Sequence, residues 1–168
     1  TLLRAAFERL PDLRYSVSYT TRAPRTGEVN GRDYVFISPA EFEDGIRADR
    51  WAEWAQVHGN YYGTSAEALS QALAEGRDVL LDIDVQGARQ ICKRFSQSVA
   101  IFIMPPSLEI LEARLRSRGP DRPEAIALRL RNAREEMAQK EMYRHVIVND
   151  DLPTAVRELV AIIESYRT

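Results

Sequence analysis

The stretch DVLLDIDVQGARQICKRF, residues 78–95, decides the fold class of this chain. It begins with a short apolar run that ends in the acids Asp82 and Asp84, and a helical pattern follows. Two further apolar runs, Val99–Met104 and His145–Asn149, are followed by helical patterns in the same way. Apolar strands that alternate with helices are typical of a parallel sheet covered on both faces, so the sequence predicts an α/β fold.

The segment from about Tyr19 to Ser65 breaks this alternation of strands and helices. Its helical pattern begins at a capping box, Ser38-Pro39-Ala40-Glu41, with proline at the first helical position, and predicts a helix to about Ala48. The rest of the segment contains short runs in which apolar and polar residues alternate. We interpret the segment as an insertion on the α/β core.

Three alternating runs predict strands at Tyr15–Thr20, Asp33–Ile37 and Trp51–Val57. Residues Asn60–Gly63 are predicted to form a turn. Thr64-Ser65-Ala66-Glu67 matches a second capping box, which predicts a helix that continues to about Glu75.

The composition limits the classes of function. The chain has 168 residues, of which 45% are hydrophobic and 29% charged, as in globular domains. The formal net charge of -2 argues against a broad nucleic-acid-binding surface, so an anion site has to be local. The single cysteine, Cys92, excludes an internal disulfide and favours a cytoplasmic location. No apolar run approaches the roughly 20 residues of a membrane span, and no membrane partner is expected.

A basic loop lies in the stretch SYTTRAPRTGEVNGRDYVF, residues 18–36. Arg22 and Arg25 flank a proline, and no acid occurs from Ser16 to Gly27. Guanidinium groups present planar sets of donors that suit phosphate oxygens, and the proline lowers the cost of ordering them. Tyr34, after a turn, adds a hydroxyl donor. The pattern indicates an anion site, with a solvated basic loop as the alternative.

Glu53 is a candidate for the recognition of a purine base. In an alternating strand, Trp51, Glu53 and Ala55 share one face, opposite Ala52 and Trp54. If the Trp54 face packs on the core, Glu53 points into the cleft that the strand borders. A carboxylate accepts two hydrogen bonds side by side, which matches the adjacent donors of guanine and opposes the ring acceptor of adenine. A surface glutamate on an edge strand is the alternative.

Two more pairs of polar residues lie at predicted element ends. Tyr62 and Thr64 precede a helix N-terminus, which attracts anions, with aromatic packing and a helix cap as the alternative. Asp82 and Asp84 end an apolar strand, where ligands bind in open α/β sheets and where an acid commonly holds Mg2+ in phosphoryl-transfer enzymes. A strand-end helix cap is the alternative.

The segment from Arg114 to Arg134 is rich in arginine. Gly119-Pro120 and Pro123 interrupt its helical pattern, so two helices are expected to meet at a hinge. The excess of positive charge fits a mobile lid that clamps a polyphosphate and excludes water, with a solvated helix as the alternative. The arginines of the segment are Arg114, Arg116, Arg118, Arg122, Arg129, Arg131 and Arg134.

Taken together, these motifs resemble the guanylate kinase family in its small bacterial form. Six stretches occur in the family's order and spacing across essentially the whole chain: SVSYTTRAPRTGEVNGRDYVF, WAEWAQVHGNYYGTS, VLLDIDVQGA, FIMPPS, LRSRGP and VIVNDD. The resemblance implies phosphorylation of GMP to GDP by ATP, with Mg2+ as the cofactor. It leaves both a monomer and a homo-oligomer open.

The same resemblance implies a P-loop nucleotide kinase architecture with a three-layer parallel sheet. It places the kinase core in residues 1–18, 66–109 and 135–168, a GMP-binding insertion in residues 19–65, and a helical lid in residues 110–134. It also implies a phosphate loop, Gly-x-x-x-x-Gly-Lys-Ser/Thr, immediately before or at Thr1, and we expect that loop to precede Thr1.

The family's site residues fall on specific positions of this sequence. The resemblance assigns the GMP phosphate to Arg22, Arg25, Tyr34 and Tyr62. It assigns the guanine base to Ser18, Glu53, Thr64 and Asp84. It assigns the ATP phosphates to Arg118 and Arg129, the neighbourhood of adenine to Asn149, and the metal, through water, to Asp82. The residues implied as catalytic are Arg22, Arg118, Arg129 and Asp82.

Two other functions compete with this interpretation. A non-catalytic guanylate-kinase-like module would bind phosphorylated partners, but such modules tend to lose nucleotide-site residues that this sequence retains. A kinase for a different small acceptor is disfavoured by Glu53 together with Ser18 and Thr64, which form a guanine-like set.

Overall fold

The structure is a computed structural model that describes residues 2–117 and 122–167. The chain divides into two compact units. One consists of Thr1–Leu10 and Val99–Thr168, called here the terminal unit, and the other of Pro11–Ser98, called the central unit. Both units contain helices and strands, so the predicted mixed α/β content is confirmed.

The elements of the described residues are as follows. The strands are β1 (Arg14–Tyr15), β2 (Tyr19–Thr20), β3 (Val35–Phe36), β4 (Trp51–Val57), β5 (Asn60–Ser65), β6 (Val79–Leu80), β7 (Ile101–Met104) and β8 (His145–Val148). The helices are α1 (Leu2–Arg9), α2 (Pro39–Arg47), α3 (Ala66–Ala74), α4 (Val85–Arg94), α5 (Leu108–Ser117), α6 (Pro123–Met137) and α7 (Leu152–Ser165), with a short 3-10 helix at Lys140–Met142.

The central unit contains a mixed sheet in the strand order β3-β2-β5-β4. Strand β2 pairs parallel with β3 and antiparallel with β5, and β5 pairs antiparallel with β4, which forms an edge of this sheet. Strands β1 and β6 form a separate parallel pair, in which Arg14 lies opposite Val79. The parallel pairing agrees with the α/β prediction from the stretch at residues 78–95.

The terminal unit is built around a second parallel pair, β7 and β8, in which Ile101 lies opposite His145. Helices α1 and α7 pack against each other in the same unit. The buried core of the unit is formed by Leu2, Ala6, Ile147, Ala155, Val156 and Leu159. Helices α5 and α7 follow β7 and β8, where the sequence predicts helical patterns after the two apolar runs.

The predicted single strand Tyr15–Thr20 is wrong. Tyr15 belongs to β1 and pairs with Leu80, whereas Tyr19 belongs to β2 and pairs with Val35 and Gly63 in the other sheet. Alternation of apolar and polar residues indicates extended backbone but carries no information on the pairing partner. The chain therefore changes sheets within a run that has a continuous pattern.

The predicted turn at Asn60–Gly63 is also wrong, because these residues are part of β5. The turn lies one step earlier, at His58 and Gly59, which both have positive φ. Asn60 then pairs with Val57 across the hairpin. Glycine tolerates the left-handed backbone of such a turn without steric cost, so Gly59 is the residue in the sequence that indicates this turn.

The first predicted capping box is confirmed: the Ser38 hydroxyl accepts from the Glu41 N–H, and the Glu41 carboxylate accepts from the Ser38 N–H at 2.8 Å. The second is shifted. Ser65 caps α3 by accepting from the Ala68 N–H, whereas Thr64 lies inside β5. Thr64 is therefore available for a different contact.

No helix in residues 2–117 or 122–167 has both the length and the apolar character needed to cross a membrane.

Candidate functional site

A buried carboxylate, Glu53, lies at the centre of the predicted base-recognition residues. Glu53 is on β4 and is 4% exposed, and Thr64, opposite it on β5, is 1% exposed. The Thr64 hydroxyl donates to Glu53 Oε1 at 2.6 Å. Burial excludes the alternative of a surface glutamate, although β4 is an edge strand.

The environment of Glu53 opposes its ionisation. The pKa of Glu53 is raised to about 6, mainly by burial; the hydrogen bond from Thr64 opposes this rise and the nearby Asp84 carboxylate adds to it. An ionised carboxylate in such a place needs hydrogen-bond donors to offset its desolvation. The site is therefore suited to a ligand that brings donors with it.

Asp84 joins this group through the N-terminus of α4. It caps the helix, and its Oδ1 accepts from the Gly87 N–H at 2.8 Å. Gly87 in turn lies against Glu53: a Cβ built on Gly87 would be 2.4 Å from Glu53 Oε2. The helix-cap alternative for Asp84 is therefore correct, and the same helix start places Asp84 beside Glu53.

Ser18 is the fourth predicted base-contacting residue. It is buried, at 7% exposure, and lies immediately before β2 in the same sheet. Its carbonyl accepts from the Val35 N–H at 2.9 Å, which ties this position to β3. Ser18, Glu53, Thr64 and Asp84 are thus all partly or fully buried residues of one unit.

Arg22 of the basic loop is held by an acid that the sequence analysis did not single out. Its Nη2 donates to both oxygens of Glu28, at 2.8 and 3.0 Å, and Nη1 donates to the Ala23 carbonyl at 2.8 Å. The hydrogen bond to Glu28 raises the pKa of Arg22, with a smaller contribution from Tyr62. The stretch without acids ends at Gly27, one residue before Glu28. An acid six residues after Arg22 in the same loop was the sequence signal for this ion pair.

Two tyrosines complete the surroundings of Arg22. Its guanidinium carbon lies 5.4 Å from the centroid of the Tyr34 ring, and the rings of Tyr34 and Tyr62 meet edge to face at 6.1 Å. Burial raises the pKa of Tyr34. Arg25 lies nearby through its backbone N–H, which donates to Glu28 at 2.7 Å, while its side chain is exposed. The structure therefore brings Arg22, Tyr34 and Tyr62 together and leaves the Arg25 side chain in solvent.

Asp82 lies between β6 and α4, where its charge acts on Tyr34 and Tyr15. Its side chain is accessible to solvent, but the protein around it removes enough water to raise the pKa of its carboxyl. Burial is the main cause that raises the pKa of Tyr15 to about 12, and the charge of Asp82 contributes to this rise. The same charge contributes to the raised pKa of Tyr34. Asp82 is therefore a carboxylate close to the Arg22 group.

The metal-binding capacity of the described residues is limited. Residues 2–117 and 122–167 contain no cluster of three or more histidine, cysteine, aspartate or glutamate side chains that could hold an ion. Mg2+ often binds through one or two carboxylates together with substrate phosphates and water. A single carboxylate such as Asp82 fits a metal of that kind and does not fit one that needs a complete protein cage.

Two of the predicted ATP-contacting residues, Arg129 and Asn149, belong to the terminal unit. Arg129 lies on α6 and is half-buried. Asn149 follows β8; its N–H donates to the Met104 carbonyl at 2.8 Å, and its own carbonyl accepts from Arg114 Nη1 at 2.8 Å. Arg114 therefore fixes the backbone at Asn149. The prediction for Arg118 lies outside the described residues.

Comparisons with known proteins identify the family. The family model described as guanylate kinase matches residues 1–166. A guanylate kinase from Geobacter sulfurreducens is 50% identical over 170 aligned residues, which cover 100% of this chain and 84% of that protein. One from Gloeobacter violaceus is 54% identical over 156 residues, covering 93% of this chain and 76% of the relative. The crystal structure of guanylate kinase from Anaplasma phagocytophilum matches with a TM-score of 0.81 at 35% identity, over 96% of this chain and 79% of that one.

The fold and the site define a mixed α/β protein in which a buried carboxylate, Glu53, and a carboxylate-bound arginine, Arg22, lie in one unit. Because the family model covers nearly the whole chain and the relatives are about 50% identical, the chain belongs to the guanylate kinase family.

Proposed function

We infer that this chain is a kinase that transfers the γ-phosphoryl group of ATP to GMP, giving ADP and GDP. The prediction of a guanylate kinase is confirmed by the family model and by the relatives of that name. The observation that carries the proposal at the level of the site is the buried Glu53 carboxylate, held by Thr64 beside the Asp84-capped start of α4.

The acidic pocket supports selectivity for guanine. The ring N1–H and the exocyclic amine of guanine are adjacent donors, and Glu53 would accept both, with Ser18, Thr64 and Asp84 around the base. Adenine presents a lone pair at N1, which would face the carboxylate and leave a buried charge without a donor. The pocket would therefore reject adenine more strongly than a neutral apolar pocket would.

The arginine group supports binding of the GMP phosphate. Arg22, Tyr34 and Tyr62 already lie together, and Arg25 is close enough to turn its exposed side chain towards the same anion. Arg22 donates to two carboxylate oxygens of Glu28, a geometry that two phosphate oxygens reproduce. We propose that the phosphate takes over part of this contact when GMP binds.

On the ATP side, we propose that Arg118 and Arg129 contact the phosphates and that Asn149 lies beside adenine. Asp82 would hold Mg2+ through water, and the metal would supply charge neutralisation at the phosphates. The chain's own residues would then work by orienting two anions and excluding water, with little need for a general base.

The domain organisation is part of the proposal. We propose a nucleotide kinase core with a three-layer parallel sheet in residues 1–18, 66–109 and 135–168. Residues 19–65 would form the GMP-binding insertion, and residues 110–134 the lid.

The decisive experiment compares GMP, IMP and AMP as phosphoryl acceptors. It measures the formation of ADP from ATP with each acceptor in turn. GMP should be the best acceptor, IMP intermediate because it retains N1–H and lacks the amine, and AMP the poorest. Equal rates for the three would end the guanine assignment. Tight GMP binding without turnover would favour the non-catalytic module instead.

A further inference from the structure

One face of helix α4 lies along the edge strand β4. Gly87, Gln90 and Arg94 recur at the spacing i, i+3, i+7, which places them on one side of a helix. Each of the three approaches a residue of β4. Ile91, next to this row, packs in the buried cluster with Ala52 of β4.

Gln90 occupies the place of a neighbouring strand. Its Oε1 accepts from the Trp54 N–H at 3.1 Å, and its Nε2 donates to the Trp54 carbonyl at 2.7 Å. An edge strand presents unpaired backbone groups, and one side-chain amide satisfies both groups of this residue. One helical turn later, Arg94 Nη1 donates to the Trp51 carbonyl at 3.0 Å. The backbone on either side of Glu53 is therefore tied to α4.

Gly87 determines how closely the helix approaches the carboxylate. A Cβ at this position would be 2.4 Å from Glu53 Oε2 and 3.1 Å from Glu53 Cδ, well inside van der Waals contact. The position is helical, so it does not require glycine for its backbone conformation. Because Gly87 has no side chain, the Glu53 carboxylate can lie close to the first turn of α4.

We propose that Gly87 and Gln90 are positioning residues for guanine recognition. Gly87 leaves the space in which the Glu53 carboxylate lies beside the Asp84-capped helix start, and Gln90 holds the strand backbone next to Glu53 at a set distance from that helix. The proposal rests on the proposed function, in which Glu53 binds the base. Both residues act through Glu53.

The first test replaces Gly87 with alanine and measures GMP and IMP affinities of the full chain by titration calorimetry. The atom that must move is the end of a flexible side chain, and alanine favours a helix, so the variant should fold. GMP affinity should fall by about tenfold or more, because one misplaced hydrogen bond to a charged group is enough for a change of that size. The preference for GMP over IMP should shrink. Unchanged GMP affinity and unchanged preference would overturn the proposal.

A second variant covers the case in which Gly87→Ala does not fold. Gln90→Met keeps the length of the side chain and removes both hydrogen bonds to Trp54. We expect weaker GMP binding and a smaller preference over IMP. The matched control is Gln71→Met on the exposed surface of α3, where the amide bonds only to Glu75, and GMP affinity should stay within about twofold. Equal effects of the two glutamine variants would overturn the proposal.

A double-mutant cycle separates this inference from the proposed function. Glu53→Gln should itself weaken GMP binding, and adding Gly87→Ala should then have little further effect, because its action passes through the carboxylate. If Glu53→Gln leaves GMP affinity unchanged, the guanine assignment and this inference both fail. If Glu53→Gln weakens binding but Gly87→Ala costs the same with and without it, only the positioning role is overturned.

Discussion

At the scale of single residues, the buried Glu53 carboxylate opposes folding when it is ionised. The pKa of Glu53, about 6, lies above the ordinary value of 4.5. The folded chain therefore binds the carboxyl proton of Glu53 more tightly than the unfolded chain does. Ionisation of Glu53 therefore destabilises the folded state as pH rises through the interval from 4.5 to about 6. At neutral pH, a pKa shift of this size lowers the free energy of unfolding by roughly 2 kcal/mol. A ligand that donates hydrogen bonds to the carboxylate would offset this loss.

Glu53→Gln should therefore stabilise the chain in the absence of ligand at high pH. We expect the free energy of unfolding of the variant to exceed that of the parent by roughly 1–2 kcal/mol at pH 8 and the difference to vanish below about pH 4.5. Urea denaturation at several pH values measures it. The control Glu43→Gln, on the exposed side of α2, should show no such change with pH. A variant less stable than the parent at pH 8 would contradict the assigned cause.

At the scale of elements, helix α2 supports the strands that carry the site. Phe42 of α2 is fully buried and stacks on Trp51 at 4.3 Å and on Tyr61 at 5.0 Å. The Trp51 indole N–H also donates to the Phe42 carbonyl at 3.2 Å. Gly45 faces the same indole, so α2 approaches β4 closely at this point. The capping box at Ser38 begins the helix at the position this packing requires.

Gly45→Ala should weaken this packing. The added Cβ would lie 2.7 Å from Trp51 Nε1, and an indole held in a stack cannot move away as a carboxylate end can. We expect a net loss of about 1–2 kcal/mol in the free energy of unfolding, after allowing for the helix preference of alanine. Urea denaturation checks it, with Gln71→Ala on exposed α3 as a near-neutral control. Unchanged or increased stability would show that α2 can shift without cost.

At the scale of the whole molecule, the residues assigned to GMP all belong to the central unit, Pro11–Ser98. Arg129 and Asn149, assigned to ATP, belong to the terminal unit. GMP binding should therefore be measurable without ATP, because each of its predicted contacts lies in one unit. Binding to the folded state alone stabilises that state by mass action.

GMP alone should raise the thermal stability of the chain, and AMP should not. At a GMP concentration about 100 times the Kd, the gain corresponds to about 2.7 kcal/mol. Arg22→Ala should abolish most of this gain at the same GMP concentration, because Arg22 is the proposed phosphate contact and its guanidinium group is already held in place by Glu28. Arg32→Ala is the matched control, since Arg32 lies in the same segment with an exposed side chain paired to Asp33. Equal stabilisation of the two variants by GMP would contradict the assignment of Arg22 to the phosphate.

Particular residues show how far the sequence alone reaches. The strand Trp51–Val57 and the helix that begins at Ser38 are local patterns, and the structure confirms both. Glu28 lies in the same loop as Arg22, but its contact with Arg22 depends on the loop folding back, which no spacing rule requires. Thr64 matched a capping box by sequence, yet it contacts Glu53 on the adjacent strand instead.

The sequence by itself determined the alternation of helices and strands, the helix starts with local capping signals, and the family, because these depend on residues close in the chain or on motifs in order. Only the tertiary structure decided that Tyr15 and Tyr19 join different sheets, that Asn60–Gly63 is a strand, and that Gly87 admits Glu53 to the start of α4. Strand pairing and close packing are contacts between residues far apart in the chain, and a local pattern is compatible with several such partners.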